Sequence, residues 1–194
     1  MQIHAEGHPA SSFYLFQQVY DESGAPLEGV YVDQNGDGQI DDSDKIINKS
    51  PDPKVTMTFG SQFRYKKWDL GFNIRASIGN YVYNNVLSTK AVYNDLFTYG
   101  LNNVVENDYY FEQPRYMSDY YLRNASFVRC DNITLGYTWD NLLNDKLRLR
   151  LFGAVQNPFV ITKYKGVDPE VFGGIDNSVY PRPVTYTLGL VATF

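Results

Sequence analysis

The sequence has little cysteine, no long apolar run and no export signal. Cys130 is its only cysteine, so no disulfide can form within the chain; we expect a small side chain that fills a strand position rather than a reactive thiol. No apolar run approaches the ~20 residues that a transmembrane helix needs, and the mean hydropathy is −0.38. No charged segment followed by an apolar one opens the chain, so if the protein is exported we expect its signal upstream of Met1.

Positive charge is also scarce and is not grouped. The chain has 17 lysines and arginines against 22 acidic residues, and five of the acids lie in the single window 33–44. No basic stripe is present to meet phosphates, which argues against a nucleic-acid partner. The two histidines, His4 and His8, have no partner at catalytic or ligand spacing. We therefore predict no catalytic residues and no enzyme activity.

The sequence does contain an alternation of apolar and polar residues with period two, which is typical of β-strands. The alternating stretches are 55–65, 68–78, 127–139, 147–156 and 184–194, with a weaker sixth near 13–19. In the third stretch the pattern places Phe127 and Ile133 on the apolar face, and Cys130 and Asn132 on the polar one. We therefore predict about six strands, each with one apolar and one polar face.

Two all-β folds share this alternation: a soluble sandwich that buries the apolar face, and a membrane barrel that turns it to lipid. The apolar faces run for about ten residues, close to the ~9–11 that cross a bilayer, and aromatic residues lie near strand ends, as in a membrane girdle. Short links alternate with long ones at 21–53, 80–123 and 160–182. These features favour an antiparallel up-and-down transmembrane β-barrel with short periplasmic turns and long extracellular loops.

Six strands are too few to close such a barrel, because bacterial examples begin at about eight. An open sheet of six strands would expose two edges and a wholly apolar face. We therefore expect the chain not to be a stable monomer by itself. Residues 1–194 are predicted to be the C-terminal segment of a longer barrel polypeptide.

The acidic window 33–44 follows the spacing of an EF-hand-like calcium loop. Oxygen donors are needed at loop positions 1, 3, 5, 7, 9 and 12, with glycine at position 6. The matching residues are Asp33, Asn35, Asp37, Gln39 (through its carbonyl), Asp41 and Asp44, and Gly38 occupies the turn. Position 12 is aspartate rather than the usual bidentate glutamate. We predict a structural Ca²⁺ site that stiffens an extracellular loop; the alternative is an Asx-rich turn that binds nothing.

The long link from 80 to 123 is rich in tyrosine, with asparagine and aspartate between the rings. Flat aromatic rings beside amides and carboxylates suit a carbohydrate or a peptide, because rings stack and polar groups form hydrogen bonds. The candidate substrate-binding residues are Tyr81, Tyr83, Tyr109, Tyr110 and Tyr120. The alternative is a packed loop that buries its own rings.

Several local sequences, in order along nearly the whole chain, resemble the C-terminal barrel of SusC/RagA-type TonB-dependent transporters. The segment Arg129-Cys-Asp-Asn-Ile-Thr-Leu-Gly-Tyr137 is similar to a strand of that family. The similar segments also include the acidic loop 32–44, Ser12-Phe13-Tyr14 before it, 156–159 with 162–170, and Tyr180-Pro181-Arg182 before the last strand.

The resemblance implies the last strands of a 22-stranded outer-membrane barrel with an internal plug, which imports glycans or peptides in a Gram-negative bacterium. It implies as partners a SusD-like surface lipoprotein, the remainder of the barrel and plug, and TonB through an N-terminal part that this chain lacks. The last strand resembles a signal for the barrel-assembly machinery, carried by Tyr186, Leu188, Leu190 and Phe194; packing against lipid is the other interpretation. The alternative function is a secreted, soluble calcium-binding β-domain for adhesion or glycan binding.

Overall fold

The computed structural model describes residues 1–94, 110–142, 146–177 and 179–194, and these residues fall into two compact units. The strand unit comprises Val55–Ser77, Phe127–Thr162 and Arg182–Phe194. The loop unit comprises Met1–Lys54, Ile78–Ser126 and Lys163–Pro181. Among the described residues, no helix is long and apolar enough to cross a membrane.

The described residues are mostly extended, as the period-two alternation predicts. The strands are β1 (Gln2–Ile3), β2 (Ser12–Phe16), β3 (Gln18–Tyr20), β4 (Pro26–Tyr31), β5 (Lys45–Ile47), β6 (Val55–Tyr65), β7 (Trp68–Ile78), β8 (Tyr81–Asn84), β9 (Leu122–Asn124), β10 (Phe127–Leu142), β11 (Leu147–Thr162), β12 (Ile175–Asp176) and β13 (Thr185–Thr193). The helical segments within the described ranges are α1 (Asn85–Lys90) and single 3₁₀ turns at Asp42–Asp44, Asp119–Tyr121 and Phe172–Gly174.

The strand unit is one five-stranded sheet in which neighbours along the chain are neighbours in space, in the order β6-β7-β10-β11-β13. Strands β7, β10, β11 and β13 pair antiparallel, and β6 joins β7 through the two-residue turn 66–67, which suits only an antiparallel pair. The five strands have 11, 11, 16, 16 and 9 residues, enough to cross a bilayer. The predicted up-and-down architecture is confirmed.

The sixth predicted strand, near Phe13–Val19, is not part of this sheet. It forms β2 and β3 of the loop unit, where β2 pairs with β1 and β5. Phe13 and Leu15 have no exposed surface, so their alternation marks the core of the loop unit rather than a face towards lipid. A strand with one buried apolar face has the same period in either setting, so the alternation could not separate the two cases.

The predicted faces of β10 are wrong at its beginning because the strand contains a β-bulge. The register with β7 shifts between Cys130 and Asn132, and an inserted residue moves every side chain before it to the other face. Phe127 pairs with Ser77 on the polar face. Cys130 pairs with Ile74 on the apolar face and is 1% exposed. Beyond the bulge, Ile133 and Asn132 lie on their predicted faces.

Most of the apolar face of the sheet is exposed, with Cys130 an exception. Met57, Phe63, Tyr186 and Leu188 are 53%, 58%, 78% and 79% exposed. A soluble sandwich would bury this face against a second sheet. A contiguous apolar surface of this kind marks a contact with lipid or with another protein.

The connections follow the predicted alternation of short and long. At one rim of the sheet, β6 connects to β7 through two residues and β10 connects to β11 through four. The connections from β7 to β10 and from β11 to β13 begin at the other rim and are long. The long connections, with 1–54, supply the loop unit. This asymmetry is the one expected of short periplasmic turns and long extracellular loops.

The loop unit has a core of its own. Its residues are buried to 3% exposure or less: Phe13, Leu15, Tyr83, Leu87, Ala91, Val92, Phe111 and Tyr121. Around them lie the sheets β1-β2-β5 and β12-β8-β9 and the hairpin β3-β4. The described parts of the long connections therefore share one core and are not a set of independent surface loops.

Candidate functional site

The acidic loop is organised by its own side chains. Asp33 accepts hydrogen bonds from the N–H groups of Gly36 at 2.7 Å and Gly38 at 2.8 Å. Both glycines have positive φ, 76° and 78°, which a residue without Cβ adopts at no steric cost. Asn35 Oδ1 accepts from the N–H of Asp37, and Asp37 Oδ1 accepts from the N–H of Gln39. The loop thus winds around its predicted ligands.

Asp44 closes the loop from its other end. Its carboxylate has no exposed surface and accepts from the N–H of Gln34 and the N–H of Asp41, each at 2.8 Å. Asp41 and Asp44 form a capping box around the turn Asp42–Asp44, the reciprocal arrangement that satisfies two otherwise unpaired N–H groups. An aspartate at this position therefore ties the two ends of the loop together.

Hydrogen bonds within the loop favour the ionised form of Asp33 and Asp41. The N–H of Gly38, and then that of Gly36, hold the pKa of Asp33 below its ordinary value. The Ser43 hydroxyl and then its N–H hold the pKa of Asp41 below the usual range. Ionised carboxylates are the form that binds a hard cation. Among the described residues, no group of three or more His, Cys, Asp or Glu side chains is placed to hold a metal ion.

The loop is fastened to β2 and β5 beside it. The Tyr14 hydroxyl donates to the Asp42 carbonyl at 3.0 Å. Lys45 Nζ lies 2.6 Å from Asp42 Oδ1 and 5.1 Å from the centre of the Phe16 ring. These contacts couple the acidic loop to the core of the loop unit, because β2 carries Phe13 and Leu15.

The five candidate tyrosines lie in different environments. Tyr83 is fully buried, and burial raises its pKa to about 12; its ring is a core residue, as the packed-loop alternative expects. Tyr81 and Tyr120 are half-buried, and Tyr110 is 44% exposed. Tyr109 lies outside the described residues. Tyr81, Tyr110 and Tyr120 therefore remain predicted contacts for a substrate, whereas Tyr83 presents no surface to one.

A carboxylate that the sequence did not single out braces the segment beside Tyr110. Glu28 Oε1 accepts from the N–H groups of Glu112 and Gln113, at 3.2 and 3.1 Å, and from Arg115 Nη2 at 2.7 Å. One oxygen thus holds three residues between positions 112 and 115 to β4. Such support lowers the entropy that a binding segment loses when a ligand arrives.

The buried side-chain amide of Gln18 on β3 also stabilises the β3-β4 hairpin, which contains Glu28. Its Nε2 donates to the carbonyls of Leu27 and Val30, at 2.6 and 3.1 Å, and its Oε1 accepts from the Ser118 hydroxyl at 2.8 Å. The Glu28–Glu112 contact spans 84 residues and the Gln18–Ser118 contact spans 100, so no local pattern revealed them.

Charged pairs cross the polar face of the strand unit. The Asp69 carboxylate on β7 accepts two hydrogen bonds from Arg150 on β11, from Nε at 2.8 Å and from Nη2 at 2.7 Å. The pair passes over Gly136 of the intervening β10, where a Cβ would overlap both the carboxylate and the guanidinium. Arg75 similarly meets Asp131 at 2.8 Å. The glycine in the family-like segment 129–137 is therefore required by a close approach of side chains.

The same face carries a groove of about 840 Å³. Its polar lining includes Gln62, Asn73, Asn132, Thr134 and the Asp69–Arg150 pair. Amide, hydroxyl and paired charged groups form a wall suited to water or to another polar surface. This is the composition expected for the lumen side of a barrel.

Sequence similarity to known proteins identifies the family of the chain. The TonB-dependent receptor SusC of Bacteroides thetaiotaomicron is 48% identical over 207 residues, which cover 100% of this chain and 20% of that protein. The chain belongs to the SusC/RagA-type TonB-dependent receptors. The TonB-dependent receptor P3 of Formosa agariphila is 29% identical over 100% of this chain and 23% of that protein. This receptor segment thus spans about a fifth of the length of these curated relatives. No protein-family model matches it.

Solved structures agree on the fold of this receptor segment. The RagAB peptide importer in its open-open state matches 97% of it with a TM-score of 0.73 and 24% identity, over 23% of the importer chain. The closed-closed state of the same importer matches 94% with a TM-score of 0.69 and 22% identity, again over 23% of that chain. These matches show that the receptor segment has the fold of part of a barrel in this family.

The family places the receptor in the outer membrane of a Gram-negative bacterium. The exposed apolar face of the sheet is then the face that meets lipid. The predicted assembly residues Tyr186, Leu188, Leu190 and Phe194 are all more than half exposed. Recognition of these residues by the barrel-assembly machinery stays a prediction.

Proposed function

We propose that this chain forms part of the wall and the folded outer loops of a TonB-dependent importer for glycans or peptides, without catalysis. The observation that carries the proposal is the 48% identity to a TonB-dependent receptor along the whole chain. The exposed apolar face of the strand unit supports it, since only lipid or a protein neighbour makes such a surface stable. The alternative of a secreted soluble domain lacks this support.

Within the proposed importer, each unit has a different role. The strand unit closes part of the barrel with the remainder of the polypeptide, and its polar groove faces the plug. The loop unit serves as a platform for a SusD-like surface lipoprotein and for substrate, with Tyr110 and Tyr120 among its contacts. Membership of the SusC/RagA-type receptors supports a partner of this kind. TonB and the barrel-assembly machinery are the further proposed partners.

Energy-dependent uptake is the expected result that tests this proposal. Cells that express the complete receptor carrying this chain should accumulate labelled oligosaccharides or labelled peptides, and accumulation should stop when the proton-motive force is collapsed. Tyr110→Ala should lower uptake several-fold at subsaturating substrate by removing a stacking ring. Tyr20→Ala, a loss of another exposed ring, is the matched control. Accumulation that survives collapse of the gradient would indicate a passive pore, and binding without entry would indicate adhesion.

We further propose that residues 33–44 bind Ca²⁺ and thereby stiffen the outer loops. The support is chemical: the residues at the required spacing offer hard oxygen donors, and the low pKa of Asp33 and Asp41 keeps two of them charged. The loop already has the tight glycine turn that such sites need. In this structure the carboxylates accept loop N–H groups, and each oxygen retains further lone pairs.

Terbium luminescence tests the calcium proposal, because the Tyr14 hydroxyl lies next to the loop and its ring can transfer excitation. Tyrosine-excited terbium emission should rise on binding and fall when millimolar calcium is added, in keeping with roughly 10⁻⁴–10⁻³ M extracellular sites. The double variant Asp33→Asn, Asp37→Asn should weaken binding at least tenfold.

Asp21→Asn is the matched control for this measurement. Asp21 also accepts backbone N–H groups in a turn of the loop unit, from Ser23 and Ala25, but it has no other carboxylate at ligand spacing. Equal terbium emission from wild type and the double variant would show that the acidic loop is an Asx-rich turn that binds nothing.

A further inference from the structure

Two lysines lie at the short-turn rim of the strand unit. Lys66 and Lys67 form the turn between β6 and β7, and both are exposed. The Lys67 carbonyl accepts from the N–H of Thr138 at 2.8 Å, so the turn is held against β10. Lys66 Nζ lies 5.4 Å from the centre of the Tyr65 ring. The backbone of the turn therefore places both lysines at the rim.

A group of aromatic rings adjoins this turn. Trp68 packs edge-on against Tyr137 with ring centres 4.8 Å apart, and Tyr137 packs against Trp139 at 4.6 Å. Trp68 is 49% exposed on the apolar face. Tryptophan and tyrosine prefer the level of the lipid headgroups, so these rings mark the interface just below the lysines.

A hollow opens in the apolar face next to the rings. Its volume is about 460 Å³, and its lining includes Trp68, Leu135, Tyr137, Leu151 and Leu188. Gly153 forms its floor, because a Cβ built at this position meets no atom within 4 Å. The hollow therefore exists because one residue of β11 has no side chain.

The distance between the hollow and the headgroup level matches the dimensions of a phospholipid. Gly153 pairs with Leu135, and Leu135 pairs with Leu70, two residues along β7 from Trp68. At ~3.4 Å per residue, the floor lies about 7 Å along the strand from the level of Trp68. A lipid with its phosphate at the lysines would place the start of its acyl chains at this depth.

We propose that this rim binds an anionic phospholipid of the inner leaflet, with the headgroup at Lys66 and Lys67 and an acyl chain over Gly153. Short turns of outer-membrane barrels face the periplasm, which sets the leaflet. Charge complementarity sets the headgroup, because basic residues at a membrane surface attract anionic lipid. Two nearby acidic residues pair with arginines: Asp69, two residues after Lys67, pairs with Arg150 on the polar face, and Asp140 of β10 pairs with Arg148 at 3.0 Å.

Lipid retention in native mass spectrometry tests this inference. The complete receptor carrying this chain is reconstituted in nanodiscs of phosphatidylethanolamine and phosphatidylglycerol in equal amounts and then released into detergent. The wild type should retain phosphatidylglycerol several-fold over phosphatidylethanolamine. The double variant Lys66→Gln, Lys67→Gln should lose that preference, because the headgroup charge has no partner. Lys163→Gln, an exposed lysine at the far end of β11, should retain it.

A second variant separates the acyl part of the site from its charged part. Gly153→Leu fills the hollow and should reduce retention of both lipids while leaving the lysines in place; heat-modifiable migration on gels confirms that the barrel has formed. Equal retention of the two lipids by the wild type would overturn the inference and show ordinary annular lipid. Unchanged preference in the lysine double variant would overturn it as well. A protein retained over the hollow in place of lipid would show a subunit contact instead.

Discussion

Leu188→Arg is expected to destabilise the barrel that contains this chain by ~1–2 kcal/mol. An arginine on a lipid-facing strand costs ~2–4 kcal/mol at the bilayer midplane and ~0–1 kcal/mol near the interfaces, and Leu188, which pairs with Gly153, lies between the two. Leu188 is the fourth residue of β13 and is 79% exposed. In water, an arginine at so exposed a position would change stability by less than ~0.5 kcal/mol. The loss of stability caused by Leu188→Arg therefore shows whether the apolar face contacts lipid or water.

Thr187→Arg is the matched control for this substitution. Thr187 is the adjacent residue of β13 and pairs with Ala154 on the polar face. An arginine there faces the lumen and should change stability little. Urea unfolding of the complete receptor in lipid vesicles, followed by heat-modifiable migration, measures both variants. Equal, small effects of the two substitutions would show that the apolar face does not contact lipid.

Phe13→Ala is expected to destabilise the loop unit by ~3–5 kcal/mol, the usual cost of truncating a buried phenylalanine. Phe13 has no exposed surface and packs in the core with Leu15, Tyr83 and Tyr121. Its backbone also pairs with Lys49 and Asn48, at 2.8 Å in both bonds. The cavity left by the ring therefore lies where β2 meets the segment that follows β5.

Amide hydrogen exchange of the loop unit measures this effect. Protection of the amides in β2 and β5 should fall by about 100-fold or more, since each 1.4 kcal/mol is a factor of ten. The matched control is Phe172→Ala, because Phe172 is fully exposed and its loss should change protection by less than ~0.5 kcal/mol. Unchanged protection in the Phe13 variant would mean that the loop unit is not held together by this core.

The strand boundaries illustrate what local pattern can establish. β6 and β7 occupy the predicted residues, and β13 begins one residue later than predicted. Each is a run of alternating residues with turn residues at its ends, so the period alone reports it. β11 continues to Thr162, beyond the predicted end at Gln156, because the irregular segment at Asn157 and Pro158 interrupts the alternation without ending the strand.

The candidate sites illustrate where local pattern fails. The acidic loop could be proposed from spacing, because its donors lie within twelve consecutive residues. Glu28 and Arg115, which brace the segment beside Tyr110, are 87 residues apart, and the Asp69–Arg150 pair is separated by 81. The sequence does show opposite charges on the polar faces of the strands. Which of these charges pair can be predicted only when the register of the strands is known.

The sequence by itself determined the all-β class, the positions of the five long strands, the alternation of short and long connections and the family. Period, turn residues and similarity are all properties of neighbouring residues in one chain. The tertiary structure decided that 13–19 belongs to the loop unit, that the bulge at Cys130–Asn132 exchanges two faces, that Tyr83 is buried, and that Gly136 and Gly153 shape the two sides of the sheet. These features depend on contacts between residues far apart in sequence, which a linear pattern does not contain.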